Sequence, residues 1–287
     1  MASALNMAPE DNYLLLVGNA QAGTSMMFQK GSNGAGAPAL RQPLPVASAS
    51  KWVSAAVILS LVADGTLSLD DHPQRYIPAW GNLSDASPPP DDDPRRRVKL
   101  RQLLSFTSGV EGAASTCDEA EVPPGARYSA CAGRIYADLA GQAFEPGAEF
   151  AYSWRHLLVA AAMAEEATGS AFSELLEARV ARPVGMEDGP AYAPGPWGPA
   201  GGLEISPGDY AKFLGALLRG DSGMKGVVEA GMFWDWTADV RGFNNSVFEV
   251  YERVGIYDKV QRWHYSLGHW IECYQGDGRT RPPRALD

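Results

Sequence analysis

Apolar positions run in short blocks near the two ends of the chain and recur at helical spacing in the middle. Asn12 to Val17, with Leu14-Leu15-Leu16-Val17 at its centre, predicts a strand; Gly18-Asn19 is a turn, and Thr24 to Gln29 is its hairpin partner. Gly31-Ser32-Asn33-Gly34-Ala35-Gly36 reads as a flexible connection. From about Ser48 to Ala63 the pattern turns helical: Val53, Ala56, Val57, Ser60, Leu61 and Val62 share helical spacing, and Asp64-Gly65 stops the run. Arg101 to Ser105 starts a short helix. After Tyr152, Leu157, Leu158, Ala161, Ala162, Glu165 and Ala167 give an Ala-rich apolar face ending at Gly169. Ser170 then caps a helix with Phe172, Leu175, Leu176 and Val180 inward, closed by Pro183-Val184-Gly185. Ser206-Pro207 opens another, because proline suits the first helical position; Tyr210, Phe213, Leu214 and Leu217-Leu218 form its buried stripe up to Gly220. Tyr265 to Cys273 alternates as a strand.

Strands, many helices and a late strand predict an α+β architecture: an antiparallel sheet flanked by helices, with a large, mostly helical region between. The sheet would draw on about 1–45 and 250–274, with residues 1–274 as a single domain. Residues 79–98, rich in Pro, Asp, Ser and Arg, read as a long surface excursion, and 107–127 as irregular. Gln275 to Arg284 reads as part of a disordered tail over 275–287. No internal repeat is visible.

Composition narrows the function classes. The 287 residues are 45% hydrophobic and 20% charged, ordinary for a globular enzyme. A net charge of −10 argues against nucleic acid or an anionic membrane as partner. The basic run Arg95-Arg96-Arg97-Val98-Lys99 follows Asp91-Asp92-Asp93 and reads as a solvated loop. No window approaches the roughly 18 apolar residues of a membrane span. Met1 to Asp11 shows no signal peptide, and the compartment stays open. Cys117 and Cys131 share one stretch and could pair or remain free thiols, while Cys273 is left over. The sequons Asn82-Leu83-Ser84 and Asn244-Asn245-Ser246 matter only in a secreted chain. Four scattered histidines and no carboxylate cluster at ligand spacing predict no metal site. Gly18 to Thr24 resembles a phosphate loop, but the lysine before Thr24 is missing and no helix follows, so a hairpin turn is the better reading.

The candidate chemistry lies in Ser48-Ala49-Ser50-Lys51. Residues i and i+3 share a helix face, so the Lys51 amine can reach the Ser48 hydroxyl and help remove its proton. Serine alone at a helix start could simply be a cap. Tyr152, just before a helix, is the candidate second proton-handling group; a tyrosinate beside an ammonium would have a lowered pKa and act as a base. The Ser48 N–H would supply one oxyanion donor. Trp52, Trp154, Trp234 and Trp236 are core or rim aromatics, of which one or two could line an acyl pocket.

These residues sit in a recognisable order. Val46-Ala47-Ser48-Ala49-Ser50-Lys51, followed by Leu61 to Asp71, resembles the nucleophile helix of the serine beta-lactamase-related family: class C beta-lactamases, D-alanyl-D-alanine carboxypeptidases and family VIII esterases. Leu103-Leu104-Ser105-Phe106-Thr107-Ser108-Gly109 resembles that family's LLSHTSG loop, and Pro146-Gly147 with Phe150 and Tyr152 resembles its tyrosine motif. Pro183-Val184-Gly185-Met186 and Gly201-Gly202-Leu203 resemble two further landmarks. The resemblance implies a beta-lactamase/transpeptidase-like fold, a covalent acyl-serine intermediate, catalytic Ser48, Lys51 and Tyr152, and no metal or organic cofactor.

Two departures qualify it. The family's Tyr-x-Asn has Trp154 in third place, and His156 is an available polar group nearby, so both are candidate substrate-binding residues; for His156 the favoured reading is an ordinary histidine of the surface or helix start. Tyr128-Ser129-Ala130 is a rival tyrosine site without the Pro-Gly entry. No Lys/His-x-Gly triplet follows Tyr152; Tyr265 to Ile271 resembles the strand that precedes it, so the C-terminal strands are expected to be partly missing, by truncation or a frame change near residue 274. The expected activity is hydrolysis of esters, amides or lactams on a small-molecule or peptide substrate, with esters or peptides favoured over lactam antibiotics by Trp154. The alternative is a catalytically inactive member that binds a ligand or protein partner, or a truncated product.

Overall fold

A computed structural model of the protein describes residues 13–21, 23–30, 39–81, 92–113, 117, 127–244 and 262–273. The expectations for Met1–Asp11, the 31–36 connection, the Asn82 sequon, most of the Asn244 sequon, the 250–261 part of the sheet and the 275–287 tail lie outside the described residues.

Strands β1 (Tyr13–Asn19) and β2 (Gly23–Lys30) form an antiparallel hairpin with Leu15 opposite Phe28 and a register shift between Val17 and Gly18. The turn falls at Ala20-Gln21, one step beyond the predicted Gly18-Asn19, because the Asn19 side chain accepts the Gln21 N–H at 3.0 Å. The stretch that resembles a phosphate loop is therefore this hairpin.

After β3 (Leu44–Pro45) a 3-10 turn over Ala47–Ala49 leads into α1 (Ser50–Ala63). The helix ends where expected, with Asp64 as its cap and Gly65 at φ 80°. Its burial runs all round rather than on one face: Val53, Ala55 to Leu59 and Leu61 are all buried. Helices α2 (Leu100–Leu104) and α3 (Ser129–Asp138), strand β4 (Glu149–Ala151) and α4 (Arg155–Thr168) follow. Every residue from His156 to Glu165 is buried, because α4 contacts α1, α2 and α3 at once. A helix enclosed on all sides loses the polar face that an amphipathic reading requires.

Helix α5 (Phe172–Leu176) continues through a π-helical stretch, Glu177–Ala181, into α6 (Arg182–Val184), which ends at Gly185 with φ 78°. Ala171 rather than Ser170 occupies its N-cap, with the Glu174 carboxylate accepting the Ala171 N–H at 2.9 Å. Strand β5 (Ala191–Tyr192), α7 (Gly198–Gly201) and β6 (Leu203–Ile205) precede α8 (Pro207–Arg219), whose Ser206 cap accepts the Asp209 N–H at 3.0 Å. Phe213 and Leu217 are buried as predicted, but Leu218 is 63% exposed and lies off the stripe. Helix α9 (Lys225–Glu229), β7 (Gly242–Asn244), β8 (Arg262–Tyr265) and β9 (Trp270–Cys273) are the last of the described elements.

The ladders are small: β3-β6-β5 and β8-β9 are antiparallel, and β4-β7 is parallel. Among the described residues the two terminal hairpins remain separate ladders rather than joining in one sheet. The single late strand predicted over Tyr265 to Cys273 is corrected to the end of β8, a turn over 266–269 folded at Gly268, whose φ is 83°, and then β9. The sequence pattern also omits α3, which carries Gly133; a Cβ there would stand 2.6 Å from that of Ala79, so close packing explains the weak helix former. Cys131 of α3 is joined by a disulfide to Cys117, with 5.8 Å between the Cα atoms. The basic run is not solvated throughout. Arg95 is buried, its guanidinium 2.6 Å from Asp93 and donating to the Tyr136 carbonyl at 2.9 Å, whereas Arg97 pairs with Glu145 on the surface.

Glu165, at the buried end of α4, accepts the N–H groups of Tyr128 at 2.8 Å and Phe172 at 2.9 Å, so one carboxylate ties together the starts of α3 and α5. Burial pushes its pKa up to about 7, against the pull of those two N–H donors. A carboxyl whose folded pKa lies above its unfolded value stabilises the fold at low pH and loses that contribution as pH rises through the folded pKa. The melting temperature of the wild type minus that of Glu165→Gln should therefore fall between about pH 4.5 and pH 7 and level off above. Taking the difference removes the opposing effect of buried His156 and His269, whose pKa values are held down to about 3 and about 4. A difference that is flat with pH would mean Glu165 titrates normally.

Candidate active site

Ser48 stands in a turn fixed from both sides by β6. Val46 donates its N–H to the Leu203 carbonyl at 3.0 Å, and the Leu203 N–H is accepted by the Ser50 hydroxyl at 3.0 Å. Ser50 in turn donates to the Ala47 carbonyl at 2.5 Å. Ala47, immediately before Ser48, is held at φ 45°, a left-handed conformation that costs a residue with a Cβ and persists only when its surroundings enforce it. The predicted helix start at Ser48 is thus a 3-10 turn, with Ser48 exposed and α1 beginning two residues later.

Lys51 lies one turn along and is 4% exposed. Its amine donates to the Ser48 hydroxyl at 3.1 Å and to the Ala200 carbonyl of α7 at 2.6 Å. Burial lowers its pKa to about 8, so a minor neutral fraction exists at neutral pH and grows as pH rises through that value. Ser54, a further turn along, donates to the Pro199 carbonyl at 2.6 Å, so α1 is stitched to the 199–203 segment by successive turns. This is the structural content of the Gly201-Gly202-Leu203 landmark.

Tyr152 arrives from the opposite side. The loop around Phe106, itself at φ 60°, accepts the Ala151 N–H on its Phe106 carbonyl at 3.0 Å and the Gly147 N–H on its Thr107 carbonyl at 2.7 Å. The Tyr152 ring stacks on Trp270 of β9 with centroids 5.5 Å apart and planes 11° apart, and meets Tyr265 edge-on at 6.2 Å. A hydrogen bond links the Tyr152 and Ser48 side chains, and the Lys51 amine lies 4.8 Å from the centroid of the Tyr152 ring. Burial raises the Tyr152 pKa, only partly offset by the Ser48 hydrogen bond. The expected lowering of the Tyr152 pKa is therefore corrected: the Lys51 amine lies over the ring, and burial outweighs the Ser48 hydrogen bond, so the shift is upward.

Ser48, Lys51, Tyr152 and Trp154 share the wall of one cleft of about 460 Å³, together with Trp197 and Ala200. His156 does not reach it. It is fully buried, its Nε2–H donating to the Ala151 carbonyl and its Nδ1 accepting from Ser108, each at 2.9 Å, with Phe106 stacked on the ring at 4.7 Å. This corrects both the substrate-binding and the surface reading of His156: it is a core residue that holds the strand end next to Tyr152. The rival Tyr128 is buried, starts α3 and lies away from the cleft lining. Sequence reasoning missed Trp197 and the Ala200 carbonyl. Both lie in a Gly/Pro-rich stretch without periodicity, and only the adjacent Gly201-Gly202-Leu203 landmark pointed towards them. Among the described residues no group of three or more His, Cys, Asp or Glu is placed to hold a metal ion.

This geometry has counterparts. The curated esterase EstB of Burkholderia gladioli is 33% identical over 152 residues, 50% of this chain and 37% of the esterase, so the match spans little more than a third of that relative's length. A putative beta-lactamase from Bacteroides dorei is similar in structure, with a TM-score of 0.63 and 26% identity over 90% of this chain and 72% of its own. A penicillin binding protein from Bacillus halodurans aligns with a TM-score of 0.59 and 19% identity over 92% of this chain and 82% of its own, a likeness of fold. The described helices and antiparallel ladders thus form a beta-lactamase/transpeptidase-like fold. The model of the Beta-lactamase family matches residues 33–246, a stretch that includes Ser48, Lys51 and Tyr152, and the chain belongs to that family.

Proposed function

We propose that the chain is a serine hydrolase that cleaves esters, amides or lactams through an acyl-serine intermediate. The observation that carries this reading is the buried Lys51 amine, 3.1 Å from the exposed Ser48 hydroxyl and lowered to a pKa of about 8. Neutral Lys51 takes the Ser48 proton as the hydroxyl attacks the carbonyl. Tyr152, hydrogen-bonded to Ser48, passes a proton to the leaving group and then helps water release the acyl group. The Ser48 N–H, in the 3-10 turn, faces the developing oxyanion. Ester or peptide substrates suit Trp154 better than lactams do, and the likeness to an esterase agrees.

A second reading, a family member that binds without catalysing, draws on the lack of any Lys/His-x-Gly triplet in residues 153–287. A fluorophosphonate probe separates the two. Stoichiometric labelling of the wild type, abolished in Ser48→Ala and mapped to Ser48 by peptide mass spectrometry, supports the hydrolase. Folded protein that takes up no label from fluorophosphonates of several chain lengths supports the binding member.

A further inference from the structure

Trp197 is a large indole left 53% exposed at the N-terminal end of α7, three residues before the Ala200 carbonyl that holds Lys51. Trp154 faces it from the N-cap of α4, two residues after Tyr152. Their ring centroids are 5.0 Å apart and their planes are tilted by 49°, so the pair does not close face to face on itself. The Arg155 guanidinium lies over the Trp154 ring at 4.9 Å and braces it. Both rings line the cleft that holds the Ser48 hydroxyl, and its volume of about 460 Å³ is that of a small-ligand site.

An exposed indole beside a reactive hydroxyl is costly to hydrate and has a free area to offer. Its quadrupole favours a second flat ring, stacked or edge-on, over an aliphatic group of equal size. We propose that Trp154 and Trp197 form a one-sided aromatic clamp, a joint surface that selects substrates whose acyl group carries a flat aromatic ring. The clamp rests on the hydrolase reading of the Ser48 site and names the substrate class of that site. Each indole hangs from an element that also positions a reacting group, Trp154 from the Tyr152 arm and Trp197 from the segment that holds Lys51, so a ring stacked on the exposed side of the pair lies in the cleft that Ser48 lines.

The test compares ethyl phenylacetate with ethyl cyclohexylacetate, which share a leaving group and differ in the flatness and π-character of the acyl ring. Hydrolysis is followed by acid release at constant pH. The wild type should prefer the phenyl ester in kcat/KM by about twofold to twelvefold, the range for an aromatic pair beyond its area. The preference should vanish in Trp197→Ala and persist in Trp197→Phe. Calorimetric titration of both esters into Ser48→Ala gives a reading that does not depend on turnover, and the same order of affinities is expected. Equal kcat/KM values, or a preference that survives Trp197→Ala, overturn the clamp and leave the hydrolase reading standing. If neither ester is cleaved, the hydrolase reading is what suffers, and the titration alone decides the clamp: tighter phenyl-ester binding that needs Trp197 upholds it, and equal binding overturns it.

Discussion

Replacing Lys51 by Met should slow acylation of Ser48 on the order of 10³-fold, the range for losing a positioned general base. The methionine side chain can occupy the same channel, so the fold should survive; what disappears is the one amine that reaches the Ser48 hydroxyl and the Ala200 carbonyl together. Lys51→Arg should not rescue the rate, because a guanidinium stays protonated across the working range. The pH profile carries the sharper signature. In the wild type the labelling rate should climb as pH rises through about 8, where Lys51 loses its proton, and then level off. The Met variant should lack that limb. Stability runs the other way: a lysine whose folded pKa lies below its unfolded value contributes stability above the unfolded pKa and loses it as pH falls through the folded one. The melting temperature of Lys51→Met relative to wild type should accordingly improve as pH drops from about 10.5 towards about 8. Fluorophosphonate labelling of the Met variant within threefold of wild type at pH 8 would remove Lys51 from the base role.

The residues brought to the cleft and those left out of it mark what a sequence can convey. The pairing of Ser48 with Lys51 was legible because their spacing and the apolar run after them are local. Tyr152 lies far along the chain, and only the motif around it pointed to the cleft it lines. The turn that presents Ser48 was not, since its left-handed Ala47 depends on Leu203, more than a hundred positions away. Polar residues were misread in the same direction each time. His156 and Arg95 are ordinary surface types, and each is buried because distant partners satisfy it: Ser108 and the Ala151 carbonyl for one, Asp93 and the Tyr136 carbonyl for the other. The sign of the Tyr152 shift was missed for a related reason. Proximity to an ammonium suggested a lowered pKa, but the Lys51 amine lies over the ring and desolvation dominates. The strand read over Tyr265 to Cys273 holds only at its two ends, because 266–269 form the turn folded at Gly268, which came only with the structure.

That fold at Gly268 is where the largest stability effect is expected. The turn between β8 and β9 presses onto the back of α1: the Gly268 N–H donates to the Leu104 carbonyl at 3.0 Å, and Trp52 of α1 stacks on His269 at 4.5 Å. A Cβ on Gly268 would lie 2.6 Å from the Cβ of Ala55 and 2.7 Å from the Lys51 carbonyl oxygen, with φ at 83°. Neither neighbour is the free end of a flexible side chain, so the hairpin or the helix must move. Gly268→Ala should thus combine the left-handed penalty with overpacking and cost about 2–4 kcal/mol, measured by urea unfolding. Gly65→Ala is the control, because its φ of 80° is nearly the same but a Cβ there meets nothing within 4 Å; it should cost only about 1 kcal/mol. If the two variants cost the same, the close approach of the hairpin to α1 is wrong. The difference has a functional side. One of the crowded atoms is the backbone of Lys51, and Trp270, just past the same turn, stacks on Tyr152. At a temperature where both variants remain folded, Gly268→Ala should therefore lose labelling of Ser48 while Gly65→Ala keeps it, because the β8–β9 turn touches the supports of both Lys51 and Tyr152.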